Sequence, residues 1–270
     1  MTSGQAGAER RRRFPARWSH QPADVRVESR SSVSPTIVDV PASVRDALGD
    51  DKAAMRLRMV RWLCAQGVRD ERVLRALAAV PRHRFVNSAL WDQAYEDTSL
   101  PIGYGQTISK PSVVARMLEW LLLGRNAQTL GHLGRVLEIG SGCGYQTRVL
   151  SLLAPMVVSA ERLQPLHHLA VEHLRRWRVP GAGDCVLVFQ DGSAGVAPHA
   201  PFDSIVAAAS AECIPPAWLE QLRIGGRLVA PVQAPNGAGQ VLLIVDRTPQ
   251  GWQTLQGEGV QFVPLKSGTA

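Results

Sequence analysis

The chain has 270 residues, 45% of them apolar, and a formal charge of +7. That length allows one or two domains, and the apolar fraction suffices for a core without covalent staples. Cys64, Cys143, Cys185 and Cys213 are scattered singly, which gives no sign of a disulfide framework or zinc site and points to reduced thiols in the cytoplasm; no apolar run reaches the 18 residues or more of a membrane span.

Residues 1–48 mix Arg, Ser, Pro and Gly with little apolar period, and RRRR at 10–13 is a solvated charge block. They are expected to form a disordered basic extension, without the amphipathic pattern of a transit peptide or the apolar stretch of a secretion signal. The basicity stays at the front: residues 52–84 carry nine Lys/Arg against two acids, whereas 85–270 carry 13 against 14. A near-neutral body argues against a nucleic-acid partner.

Order is expected over 49–267, with helices and a substrate loop in 49–125 and a ligand-binding sheet in 134–267. Met55, Met59, Trp62 and Leu63 recur at helical spacing, Arg58 and Arg61 fall on the other side, and Gly67 stands where the helix would end. A second helix is predicted over Arg72 to Ala79, before Pro81. The stretch LPIGYGQTISKP (100–111) holds Gly103, Gly105, Tyr104, Thr107, Ser109 and a single charge, Lys110, with neither helical nor strand period. It reads as a loop. The run VVARMLEWLLL (113–123) is broken by Arg116 and Glu119.

From 135 onward apolar strands alternate with helices. RVLEI (135–139), MVVSAE (156–161), CVLVFQ (185–190), FDSIVAAA (202–209) and GRLVAPV (226–232) read as strands; QVLLIVDR (240–247) and LQGEGVQFVPL (255–265) read as a closing antiparallel pair. Helices are predicted over 145–153, 163–177 and 217–222. The pattern predicts an α/β, doubly wound, mostly parallel sheet of seven strands, Rossmann-like, with helices on both faces.

Ligands of such sheets bind beyond the carboxyl ends of the strands. Strand one is followed by Gly140, Ser141, Gly142, Cys143 and Gly144, a G-x-G-x-G turn in which Tyr145 stands where a dinucleotide fingerprint needs glycine. Glu138 before the turn can attract a cation. Glu161 ends strand two, 21 residues past Gly140, placed for ribose hydroxyls; Asp191 and Gly192 follow strand three, where an adenine amino group would lie. S-adenosylmethionine, with its sulfonium and ammonium groups, fits these residues better than a nicotinamide dinucleotide does. The plainer alternative is that the glycines merely turn the chain and Glu161 caps the next helix.

The segment from about 53 to 265 resembles the protein-L-isoaspartate O-methyltransferase family. VPRHRFV (80–86), AYEDTSLPIGYGQTISKP (94–111), VARM (114–117), VLEIGSGCGYQT (136–147), PFDSI (201–205) and FVPL (262–265) carry the likeness. The GYGQTIS block is specific to that family; the glycine turn is common to methyltransferases. The resemblance implies a methyltransferase fold and methyl transfer from S-adenosylmethionine to the free α-carboxyl of L-isoaspartyl residues in damaged proteins. It implies that Ser109 orients the acceptor carboxylate, with Thr107 and Ile108 as neighbours over the donor. A carboxylate acceptor needs no general base and no metal. Isoaspartyl proteins and peptides would be the partners, and a monomer is the default, since no long apolar stripe asks for a second copy.

Three positions depart from the family pattern: Lys110 where Gln or Ala is common, Gln190 before Asp191 and Gly192 where glycine is usual, and Lys266 where many members have Thr. The two lysines would favour acidic substrates, or stand as exposed loop cations. His83 reads as a structural residue beside Pro81 and Phe85, His167 and His168 as outward-facing, and Cys143 as a small pocket-lining residue. Two rivals differ in class. A nucleic-acid methyltransferase would need a polar grip and an aromatic ring where Ile214, Pro215, Pro216 and Ala217 stand; a donor-binding protein without turnover, or an enzyme for another carboxylate, would keep the glycine turn.

Overall fold

The structure, a computed structural model, describes residues 52–234, 237 and 239–270. The extension expected over 1–48, and the start of order near Asp50, lie outside these residues.

Helix α1, Ala53–Ala65, buries Arg56, Met59, Val60 and Leu63, an i, i+3, i+4, i+7 stripe. The stripe starts one residue later than Met55, so Trp62 is 40% exposed while Arg56 is buried and donates from Nε to the Ala78 carbonyl at 2.6 Å. Helix α2 spans Glu71–Ala79, as expected, and Asp70 caps it by accepting from the backbone N–H groups of Arg72 and Val73.

The segment read as a loop is a hairpin. Strands β1, Leu100–Gly103, and β2, Gln106–Ile108, pair antiparallel around Tyr104 and Gly105. Both turn residues have positive φ, 54° for Tyr104 and 68° for Gly105, the combination that suits a two-residue turn to the twist of the strands. Ile102 is the extra residue of a bulge between Pro101 and Gly103. Helices α3, Pro111–Leu122, and α4, Arg125–Leu130, follow.

Seven strands make the main sheet: β3 (Arg135–Ile139), β4 (Met156–Glu161), β5 (Asp184–Phe189), β6 (Phe202–Ala207), β7 (Leu222–Gln233), β8 (Gln240–Thr248) and β9 (Gly251–Val260), in the order β5-β4-β3-β6-β7-β8-β9. The first five are parallel and the last two antiparallel. Helices α5 (Tyr145–Ser151), α6 (Gln164–Arg176) and α7 (Pro216–Gln221) connect them. Alternate strand residues serve different cores: Val136, Val157 and Val206 pack with α1 to α3, whereas Leu137, Val158 and Ile205 pack with Trp218 and Leu219 of α7.

The last strand differs from the expectation. The hairpin closes tightly at Thr248 and Gly251, so β9 starts at 251 and ends at Val260. The FVPL segment leaves the sheet and runs beside the loop after β6, where Leu265 donates its N–H to the Ser210 carbonyl at 2.7 Å. Among the described residues no helix is long and apolar enough to cross a membrane.

Candidate active site

Strand order reverses at β3: the chain continues outward to β4 and β5 on one side and returns to β6 on the other. Such a switch point leaves a crevice at the carboxyl ends of the two central strands. The glycine turn leaves β3 there, pinned by the Gly140 N–H on the Ala160 carbonyl at 2.8 Å. Gly142 donates its N–H to Glu161 Oε2 at 2.9 Å, and Leu163 donates to Glu161 Oε1 at 3.0 Å. One carboxylate therefore holds the glycine turn and shapes the entry to α6.

Glu138 lies beneath the turn with no exposed surface. Thr147 Oγ1 and Ser159 Oγ donate to its Oε2 at 2.5 and 2.6 Å, and Ser141 Oγ sits 2.6 Å from Ser159 Oγ. With the Ser159 proton directed to the carboxylate, Ser141 is the donor in that pair. Burial pushes the Glu138 carboxyl up to about 7, against the hydrogen bonds from Ser159 and Thr147 that favour its ionised form.

The β1–β2 hairpin covers the turn. The bulge aims Ile102 at Gly142 so closely that a Cβ there would lie 3.1 Å from Ile102 Cδ1, and Gly142 has φ of 53°. The positive φ favours glycine, and a Cβ would oblige the end of the Ile102 side chain to give by a few tenths of an ångström. Thr107 and Ile108 of β2, and Ser109 just beyond it, reach the same cleft.

The cleft opens to solvent and encloses about 860 Å³ when its open mouth is counted. Thr107, Ile108, Ser109, Gly140, Ser141, Gly142, Glu161 and Gly192 line it together. Three expected residues stand back from its wall. Glu138 is fully buried and does not line the cleft. Gly144 starts α5 with φ of 84°, and a Cβ there would meet Ala170 of α6 at 3.3 Å, so it serves close packing. Asp191 accepts from Ser193 N–H and, through Oδ2, from Gly268 N–H, both at 2.8 Å. Burial opposes its charge, yet these bonds and nearby Arg162 hold its carboxyl below the usual value.

Sequence reasoning missed several walls. Ile102 and Gln106 belong to the hairpin that had no visible period; Ala208 and Ala209 follow β6 and were findable once β6 was placed beside β3. Pro264 and Leu265 line the far side, a position hidden by extending the last strand through them, next to Lys266, which the sequence had singled out as a departure from the family pattern. The same segment ties down with Arg162 Nε on the Gly268 carbonyl and Ala270 N–H on the Arg162 carbonyl, both at 2.8 Å.

His83 is buried, with Nδ1 2.7 Å from the Tyr95 hydroxyl and its ring edge-on to Trp91, so it serves packing as expected. His168 faces outward, but His167 turns partly inward against Phe189, 5.9 Å between centroids. Cys143 lines the cleft, and burial pushes its thiol up to about 11, far from a nucleophile's range. Among the described residues no group of three His, Cys, Asp or Glu side chains is placed to hold a metal ion.

The family model described as protein-L-isoaspartate(D-aspartate) O-methyltransferase matches residues 55–270. A protein-L-isoaspartate O-methyltransferase of Methylibium petroleiphilum is 56% identical over 224 residues, 82% of this chain and 81% of its own. One from Leptothrix cholodnii is 55% identical over 223 residues, 82% of this chain and 77% of its own. A solved protein-L-isoaspartate O-methyltransferase superposes with a TM-score of 0.68 at 26% identity, over 78% of this chain and 66% of that one. A Plasmodium falciparum beta-aspartate methyltransferase, solved in complex with S-adenosyl-L-homocysteine, shares the fold with a TM-score of 0.66 at 23% identity, over 77% of this chain and 97% of that one. With the glycine turn at the switch point and the GYGQTIS hairpin folded over it, the chain belongs to the protein-L-isoaspartate(D-aspartate) O-methyltransferase family.

Proposed function

We propose that this chain transfers the methyl group of S-adenosylmethionine to the free α-carboxyl of L-isoaspartyl residues in damaged proteins and peptides, the step that starts their repair. The observation that carries this reading is a shared wall: Thr107 and Ser109 line both the cleft over the glycine turn and a second groove that opens beside it. A donor in the cleft and a peptide in the groove meet at the exit of β2.

The residues fit such a donor. Each oxygen of Glu161 accepts one backbone N–H, and a carboxylate has about four acceptor sites, so two remain for ribose hydroxyls. Ile139, Leu163 and Leu166 supply apolar wall for the base. Glu138, whose carboxyl is raised to about 7 by burial, supplies negative potential below a cationic ligand when it is ionised. When bound, the donor supplies an electrophilic methyl group on a sulfonium.

The chain's own task is placement. An acceptor carboxyl with an ordinary pKa of about 4 is already ionised, so no side chain must take its proton. The Ser109 hydroxyl donates to one carboxylate oxygen and leaves the other facing the methyl group, while the hairpin keeps water from the reacting atoms. The same reading takes 49–267 as one methyltransferase domain, acting as a cytoplasmic monomer on proteins rather than nucleic acid. Four free cysteines support a reducing compartment.

The test pairs matched isoaspartyl and aspartyl peptides with methyl-labelled donor. Base-labile label on the isoaspartyl peptide alone is expected; label on neither, or equally on both, overturns the proposal. Ser109→Ala should lower kcat about tenfold or more, as for a lost charge-assisted hydrogen bond, with donor Kd unchanged. Unchanged turnover would remove Ser109 from the assignment.

A further inference from the structure

The groove beside Ser109 carries a charge that the methyl transfer does not use. Its described walls come from Ser99, Lys110 and Val113 on the hairpin side and from Val260 and Phe262 at the end of β9. Among the described residues that line it, Lys110 is the one charged side chain.

Lys110 stands at the N-cap of α3 with extended backbone and makes no side-chain cap. Its ammonium lies 3.8 Å from Asp97 Oδ2, beyond hydrogen-bond range, and its side chain is 46% exposed. Asp97 is engaged elsewhere: its two oxygens accept from the Ser112 N–H and the Ser112 hydroxyl, both at 2.8 Å. Asp97 thus steadies the lysine without consuming its three N–H donors. A chain that presents its isoaspartyl carboxyl to Ser109 must run along this groove, past the next residue's ammonium.

We infer that Lys110 is a specificity-determining residue that selects isoaspartyl peptides with an acidic side chain beside the isoaspartate. The inference rests on the reading of Ser109 as the acceptor site. It assigns Lys110 to a second carboxylate on the peptide, not to the one that is methylated. A half-exposed ion pair of this kind corresponds to roughly a two- to fivefold preference at low salt, and screening should shrink it at about 0.5 M salt.

The experiment measures kcat/KM for isoaspartyl peptides that differ only in Glu or Gln beside the isoaspartate, with one pair for each side. For the unaltered protein, a Glu/Gln ratio of roughly two to five is expected in at least one pair. Lys110→Gln should bring that ratio to about one and Lys110→Glu should invert it. A ratio of one in the unaltered protein in both pairs, or a ratio that survives Lys110→Gln, overturns the inference. So does an equal fall for both peptides in Lys110→Gln, which would place the lysine on the acceptor carboxyl. Failure of the Glu and Gln isoaspartyl peptides alike to be methylated by the unaltered protein would instead sink the proposed function.

Discussion

At the scale of single residues, Glu138 joins strand periodicity to pH behaviour. It points to the opposite face of β3 from Leu137 and Ile139, and that face is sealed by Thr147 and Ser159. Its carboxyl rises from 4.5 to about 7 because burial penalises the charge. A raised folded-state value means that the native chain holds this proton more tightly than the unfolded chain. The stabilising contribution is therefore complete below about pH 4 and is lost as pH rises through about 7. At about 1.4 kcal/mol per pKa unit, the loss is on the order of 3 kcal/mol. Glu138→Gln cannot ionise, so denaturant midpoints should move in the variant's favour between pH 5 and pH 8. A difference between the two proteins that does not change with pH would show that another group titrates. Sequence spacing placed Glu138 just before the glycine turn, and the structure buries it there behind the cleft wall. Its alternation within β3 hid it from the cleft, because a five-residue apolar strand does not say which neighbour seals each face.

Among the elements, the β1–β2 hairpin is the one that sequence pattern concealed. Its strands have four and three residues, too short to display alternation, and its only local signal was a Tyr-Gly pair at the turn. What it does depends on the bulge, which sends Ile102 down onto Gly142. Gly105 isolates the backbone's share, since its φ is 68° and a Cβ there would meet nothing within 4 Å. Gly105→Ala should cost about 1 kcal/mol from backbone strain alone. A two-stranded element opens locally, so the cost should fall on the hairpin rather than on the global transition. Turnover should drop severalfold while Tm stays nearly constant; a lowered Tm with full turnover would mean that the hairpin does not position Thr107 and Ser109. By contrast, α2 and β3 to β8 were legible, because apolar runs bounded by Gly and Pro leave few alternatives for a parallel sheet.

Across the whole molecule, the cleft is assembled from distant stretches: the hairpin near 107, the turns after β3 and β4, and the segment 264–266. The strand-end acids were readable from the spacing of strands and loops. Their partners were not, since no local pattern announces that Asp191 will accept from Gly268, 77 residues away. Two backbone protons therefore report on the ligand. The Gly142 amide rests on Glu161, and the Gly268 amide rests on Asp191. A ligand present at a hundred times its Kd stabilises the folded state by about 2.7 kcal/mol, which slows exchange wherever release of the amide requires the empty site to open. Adding donor should slow deuterium uptake at both amides, with Gly142 alone responding if the closing segment stands apart from the donor. Occupancy could then be followed from the protein's own hydrogens, without a label on the cofactor or a turnover assay.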